Sequence, residues 1–300
     1  MPNAKLYNYI HLHFIVFIWG FTAVLGALIS IDAIPLVWYR MLLASGFMLL
    51  YIKFRKQDLR FPPKVLGGFL LAGLIIALHW LAFFGAIKIS NVSVTLATMS
   101  TGALFASILE PIFYKRKVVW YEVLFGLIVV LGLYIIFKVE TQYLWGIILA
   151  LCASFLGALF SVINGRFAAK YKASVISFYE IFFGSLCITV YLALSGSFNA
   201  KFFQLTLNDW SLLLILASVC TAYAFIASIH VMKWISPYTV MLTINMEPVY
   251  GILLALLILG DAENMSEGFY YGAGIIIATV IVNGIIKISV KRKKRGLPFS

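Results

Sequence analysis

An all-α integral membrane protein is the fold class this sequence predicts, on three observations. The chain is 63% hydrophobic and 11% charged with a mean hydropathy of +1.02, against roughly 45–50% apolar and 25% charged residues in soluble domains. Its apolar residues fall into about ten runs, each near the roughly 20 residues that a helix needs to cross a bilayer. The basic residues between these runs crowd every second gap and are sparse in the others, which is the asymmetry of the positive-inside rule.

The runs lie at about 9–29, 34–52, 66–87, 92–113, 119–137, 143–165, 174–194, 209–230, 238–259 and 269–288. The first lacks a small-residue cleavage signature and exceeds a signal-peptide core in length, so it reads as a retained helix; it carries Trp19. The second carries Arg40. The gap "KFRKQDLRFPPKV" that follows is too short for a soluble domain. His79 and Trp80 lie in the third run, and Thr95, Thr98 and Met99 in the fourth, where both threonines share a helical face with Gly102. The fifth follows the basic cluster Lys115–Lys117. In the sixth, Ala150, Ser154, Gly157 and Ser161 form a small-residue stripe suited to close helix contact. Glu180 falls in the seventh run and Tyr223 in the eighth. The ninth contains "TINMEPVYG" with Thr243, Asn245, Glu247, Pro248 and Tyr250, and the tenth precedes a basic tail, 291–300.

The net charge of +12 does not point to nucleic acid, because the charge follows the loops. Lys53, Arg55, Lys56, Arg60 and Lys64 share one side with Lys115–Lys117, Arg166, Lys170, Lys172 and Lys233, whereas the other side holds only Lys88, Lys138 and Lys201. Both termini are therefore expected in the cytoplasm, and the terminal "KRKKR" is expected to rest against anionic lipid. The acidic residues Asp32, Glu140, Asp209, Asp261, Glu263 and Glu267 fall on the opposite side. Cys152, Cys187 and Cys220 show neither CxxC nor metal-ligand spacing and read as packing residues. No P-loop, GxGxxG or nucleophile–base arrangement is recognisable, so neither an enzyme nor a cofactor or metal site is expected. A receptor or scaffold would want a ligand-facing loop or signalling tail, which the short gaps do not offer.

A shift of about 145 positions lays "AIKISNVSVTLATMSTGALFASIL" over "VMKWISPYTVMLTINMEPVYGILLAL", with Lys88 on Lys233, Gly102 on Glu247 and Ala103 on Pro248. Each half then contains five runs. An odd number reverses the membrane orientation of the second half, which predicts an inverted-topology repeat, an architecture of carriers.

These features resemble the EamA family of the drug/metabolite transporter superfamily over nearly the whole chain. The resemblance rests on "FIWGFTAVLGALI", "PLVWYRMLLASGFMLL", "FFGAIKISNVSVTLATMS", "MEPVYGILLALLILGDA" and "YYGAGIIIATVIVNG". The chain departs from the family's pattern at Asp261, where the family prefers Glu, at Gly102-Ala103, and at "KRK" 115–117; Glu110-Pro111 looks like the family's motif but is out of register. The resemblance implies ten helices in two inverted five-helix repeats, 1–138 and 139–290, with the tail 291–300. It also implies a central cavity, alternating access and small-metabolite substrates, often exported: amino acids, other zwitterionic or amphipathic solutes, drugs. It further implies a bacterial inner (plasma) membrane protein, expected to be a monomer in the bilayer.

Position within the runs selects the candidate cavity residues. Glu247 lies near the bilayer midplane, where a charge costs roughly 3 kcal/mol on insertion scales and therefore faces a bundle interior or a wet cavity. Pro248 breaks the helix beside it, and broken helices at midplane hold substrate and ion contacts in carriers. Two readings stand for this step: a cavity carboxylate, with protons as a candidate coupling ion, or a structural hinge at Pro248. His79, beside Trp80 and opposite Tyr223 under the repeat shift, is the second cavity candidate. Trp19, Thr95, Thr98, Met99, Thr243, Asn245 and Tyr250 are weaker ones. Arg40, about six residues from its helix end, is expected to snorkel outward, a direct pair with Glu180 is not expected, and Glu110 is expected at the interface near Lys115.

Overall fold

The computed structural model describes residues 2–115, 117–235, 237–244 and 246–293, and among these no strand occurs. Seven helical segments are long and apolar enough to cross a membrane, and three shorter apolar helices, Val123–Val139, Glu247–Leu259 and Glu267–Asn283, accompany them. In chain order the helices are α1 (Pro2–Leu28), α2 (Ala33–Phe54), α3 (Pro63–Ile89), α4 (Val92–Met99), α5 (Gly102–Tyr114), α6 (Trp120–Val139) and α7 (Leu144–Ala168). They continue with α8 (Ala173–Leu194), α9 (Leu207–Ala217), α10 (Ala224–Val231), α11 (Pro237–Ile244), α12 (Glu247–Leu259) and α13 (Glu267–Lys293). The end of the basic tail, 294–300, lies outside the described residues.

Two of the apolar runs are broken in their middle. α4 gives way to α5 at Ser100 and Thr101, and α11 gives way to α12 between Ile244 and Glu247. All four bounds of α4 and α5 fall on those of α11 and α12 after a shift of 145 residues. The second break precedes Pro248 rather than following from a bend at it. Pro248 occupies the first turn of α12, where its missing N–H would have had no intrahelical partner. The first break also separates Thr95 and Thr98 from Gly102, so the continuous face expected of them does not form.

α3 packs chiefly on α7 and α8, α6 on α13, α1 on α12, and α4 crosses α12 while α5 crosses α11. Missing side chains set the closest of these crossings. A Cβ on Gly20 would stand 3.0 Å from the Gly251 amide nitrogen, and one on Gly73 would stand 3.1 Å from that of Gly184. The small-residue contact is the means by which helices gain packing energy in a solvent as apolar as they are.

Three carboxylates pin helix ends across the molecule on the side of the acidic loops. Glu263 accepts from the backbone N–H groups of Val92 and Ser93 at 2.9 and 2.8 Å, and so caps the positive end of α4. Asp209 accepts from the Ser30 backbone N–H and hydroxyl at 2.7 and 2.8 Å. Glu140 accepts from the Ser266 hydroxyl at 2.7 Å. Lys88 adds a bond to the Ile29 carbonyl.

Candidate substrate cavity

A cavity of about 100 Å³ lies between α1, α2, α3, α7, α10 and the α11–α12 break. Aromatic rings form much of its wall: Trp80 meets Phe225 edge-on at 5.7 Å between centroids, and Phe160 lies 5.3 Å from Phe225. Thr22, Ser161 and Ser228 supply hydroxyls, and Met99, Met232 and Met241 supply adaptable apolar surface. Three ionisable side chains, Arg40, His79 and Glu247, reach this lining from α2, α3 and the first position of α12.

Arg40 corrects the sequence reading most. It is 1% exposed and turned into the bundle, with its guanidinium carbon 3.9 Å from the centre of the Trp80 ring. Its Nε donates to Thr221 Oγ1 at 2.6 Å. That acceptor is placed by a π-helical turn, Ser218–Tyr223, between α9 and α10: the Thr221 hydroxyl donates to the Leu216 carbonyl five residues back at 2.7 Å. The Arg40 Nη1, fully buried, has no hydrogen-bond partner. A cation faced by a ring and an oriented hydroxyl gains enough from inside the bundle that it need not reach the interface.

Glu247 is 8% exposed and stands at the N-terminus of α12, where the helix dipole favours negative charge. His79 Nδ1 lies 2.7 Å from the Ala153 carbonyl. Because a carbonyl only accepts, Nδ1 carries the proton and Nε2 of the neutral ring is an acceptor. Gly157 makes the imidazole's place, since a Cβ there would stand 3.1 Å from His79 Cε1. The stripe on α7 thus seats His79 and, through Ser154, the first helix break, where Ser154 Oγ donates to the Met99 carbonyl at 3.0 Å.

Of the residues singled out from sequence, Trp19, His79, Trp80, Met99 and Glu247 come together in this cavity. The others lie elsewhere. Thr95 is fully buried and its hydroxyl is spent on the Asn91 carbonyl at 2.8 Å, and Thr98 is fully buried away from the lining. Tyr223, on the opposite face of its helix, bonds His11 Nε2 at 2.9 Å in a separate groove. Thr243 donates to the Thr239 carbonyl of its own helix at 2.9 Å, and Tyr250 packs edge-on against Phe17. Asn245 lies outside the described residues. Glu110, expected at the interface, is buried within α5. Thr22, Ser228 and the aromatic pair Phe160 and Phe225 escaped the sequence reading, and Ser161 was read only as part of a packing stripe, because only helix packing brings them to one point. Among the described residues no group of three or more His, Cys, Asp or Glu side chains is arranged to hold a metal ion.

Comparison with known proteins adds three findings. The model of the EamA-like transporter family matches the chain twice, over residues 9–138 and 144–285. An uncharacterized transporter of Clostridium kluyveri is 25% identical over 252 residues, which span 80% of this chain and 78% of that protein. A solved crystal structure of a protein superposes with a TM-score of 0.69 over 93% of this chain and 98% of its own, at 14% identity, a likeness of fold alone.

Proposed function

Since the chain belongs to the EamA-like transporter family, we propose that this membrane transporter is a secondary carrier that moves small zwitterionic or amphipathic metabolites, amino acids foremost, outward by alternating access. One observation carries the substrate class: a buried cation with a free donor, Arg40, lines the same small cavity as the carboxylate Glu247. A substrate carboxylate would complete the hydrogen bonding of Arg40, and a substrate ammonium would sit against Glu247. His79, in the same lining, would offer a further acceptor through Nε2. The aromatic wall suits an apolar side chain, as ligand pockets generally combine apolar area with a few placed polar groups. That same wall supports a second reading, a carrier of flat amphipathic drugs or nucleosides.

The matched bounds of the two broken runs and the double family match support ten helices in two inverted halves. In such a scaffold, broken helices at midplane flank the site and the halves exchange roles. The carboxylate pins at Glu140, Asp209 and Glu263 close the acidic side, while the cavity lining runs to Met232, next to Lys233 on the basic side. Opening the acidic side would require those bonds to be exchanged for water. The charge pattern supports cytoplasmic termini in a bacterial inner membrane, with Glu247 exchanging a proton as the halves alternate and one chain as the working unit.

Proteoliposomes loaded with labelled amino acids or nucleosides test the substrate reading. Saturable, zwitterion-competed amino-acid flux is expected, and Arg40→Gln should lower it about 10- to 100-fold, as removal of a charge-assisted bond predicts. Saturable transport of a nucleoside diphosphate, or full activity in Arg40→Gln, would overturn it. For orientation, Asn264→Cys should react with an impermeant maleimide from outside intact cells, and labelling only after lysis would reverse the topology.

A further inference from the structure

A second and larger concavity, about 690 Å³, lies outside the substrate cavity and is separated from it by α10. That helix turns Phe225 and Ser228 towards the cavity and Ile226, Ala227 and His230 towards the groove. The groove runs between α1, the basic-side half of α2, the start of α8 and the length of α10. Its walls are apolar, with Phe47, Met48 and Tyr51 from α2 facing Ile226 across it. The helix flanks beside it are themselves apolar and exposed, with Tyr51 at 44% and Val219 at 45%. Its polar floor is self-satisfied by the bond between His11 and Tyr223.

The mouth has the opposite character. Lys172 precedes α8, Lys233 follows α10, and His230 stands one turn below Lys233, all three exposed and all lining the groove. Ala173 and Ser174, the first residues of α8, line it as well, and no side chain caps that helix end. The positive end of a helix therefore adds to the lysines. No carboxylate is among the described lining residues.

We infer that this groove holds an anionic phospholipid drawn from the leaflet on the basic side, its phosphate at Lys172 and Lys233 and its upper acyl chain between α2 and α10. Cationic pockets between membrane helices on the side of the basic loops hold anionic headgroups for this reason. A free phosphate would use the mouth but not the walls, and a zwitterionic lipid would use the walls but bring no net charge to two lysines. The occupant would lie against α10, whose far face lines the substrate cavity, so it would brace a wall of that cavity without entering it.

The test is a binding measurement and does not depend on transport. Delipidated protein in a neutral detergent is titrated with dioleoylphosphatidylglycerol or dioleoylphosphatidylcholine and read by native mass spectrometry. Phosphatidylglycerol should bind at least about tenfold more tightly. The double variant Lys172→Gln/Lys233→Gln should erase that preference, two surface cations each contributing a severalfold effect; Lys172→Arg/Lys233→Arg should keep it. Ile226→Trp, at a partly exposed position of the groove wall, fills the groove and leaves the charges, and should lose the lipid while keeping the melting temperature measured in phosphatidylcholine. Equal binding of the two lipids, retention of phosphatidylglycerol by both the glutamine and tryptophan variants, or its displacement by millimolar inorganic phosphate would each overturn the proposal.

Discussion

The break between α4 and α5 and the break between α11 and α12 stand at matched positions but are built from different chemistry. In the first, Thr101 Oγ1 lies 2.9 Å from both the Thr98 carbonyl and Ser154 Oγ, and Ser154 bonds Met99. Hydroxyls and Gly102-Ala103 suffice there. In the second, Met246 N–H bonds the Thr243 carbonyl at 3.0 Å, and Glu247-Pro248 follows. A break of the same register thus forms with neither carboxylate nor proline. Breaking the helix does not explain the presence of Glu247, which faces the cavity, whereas its counterpart Gly102 lies against Met241 and Ser154.

The largest effect expected from this contrast is at Glu247. Glu247→Gln keeps size and hydrogen bonding but removes titration, so accumulation driven by a pH gradient should fall at least about tenfold, while counterflow exchange and expression persist. Unchanged accumulation would return Glu247 to a structural role and erase the functional difference between the breaks. Next comes Glu263→Ala, which takes the acceptor from the buried Val92 and Ser93 N–H groups at the start of α4 while Asn91 still accepts from the Val94 N–H, a cost of roughly 2–4 kcal/mol. A clear drop in melting temperature and faster maleimide labelling of Ser93→Cys, at a position fully buried in the native chain, are expected. Unaltered labelling would show that the cap does not hold the acidic side shut.

Ser154→Ala should cost about 1 kcal/mol by freeing the Met99 carbonyl, read as a small shift in melting temperature with substrate preference unchanged. A changed preference would mean that the first break also serves the substrate. The smallest effect is expected at Pro248→Ala, because Ala103 already occupies the matching position. Flux within about twofold of the parent is the expected result. Equal slowing of exchange and accumulation would show that the second break, unlike the first, depends on its proline.

What was legible in the sequence follows from what is local. Apolar runs, loop charges and the 145-residue shift depend only on residues near one another in the chain or on a whole-chain pattern, and they anticipated the all-helical membrane class and the family. The break at Ser100 and Thr101 was not legible, because no proline marks it and Ser154, which completes its hydrogen bonding, comes from α7. Arg40 was misjudged for a similar reason. Depth along a helix suggested snorkelling, whereas the ring of Trp80 and the hydroxyl of Thr221, 40 and 181 residues away, decide where the side chain turns. Thr221 itself is aimed by a π-turn that no periodicity argument foresees. Glu247 and His79 were readable because an ionisable group deep in an apolar run is conspicuous whatever surrounds it, while Tyr223 was at the right depth on the wrong face.

The pairing of α1 with α12 and of α7 with α3, α4 and α5 reaches beyond transport, to how the molecule is assembled. Each leading helix is lodged in the opposite portion of the chain, and at Gly20 and Gly251 two backbones meet with no side chain between them. A polypeptide ending at residue 138 would leave α1 without its seat and α3 without its cover, and one beginning at 139 would have the reciprocal defect. Neither fragment holds a finished surface to show to lipid, so each should be degraded when made alone and rescued when both are made in one membrane. During synthesis the first five runs must then wait, incompletely packed, until α7 emerges, and that interval is when the newly made chain is most open to proteases.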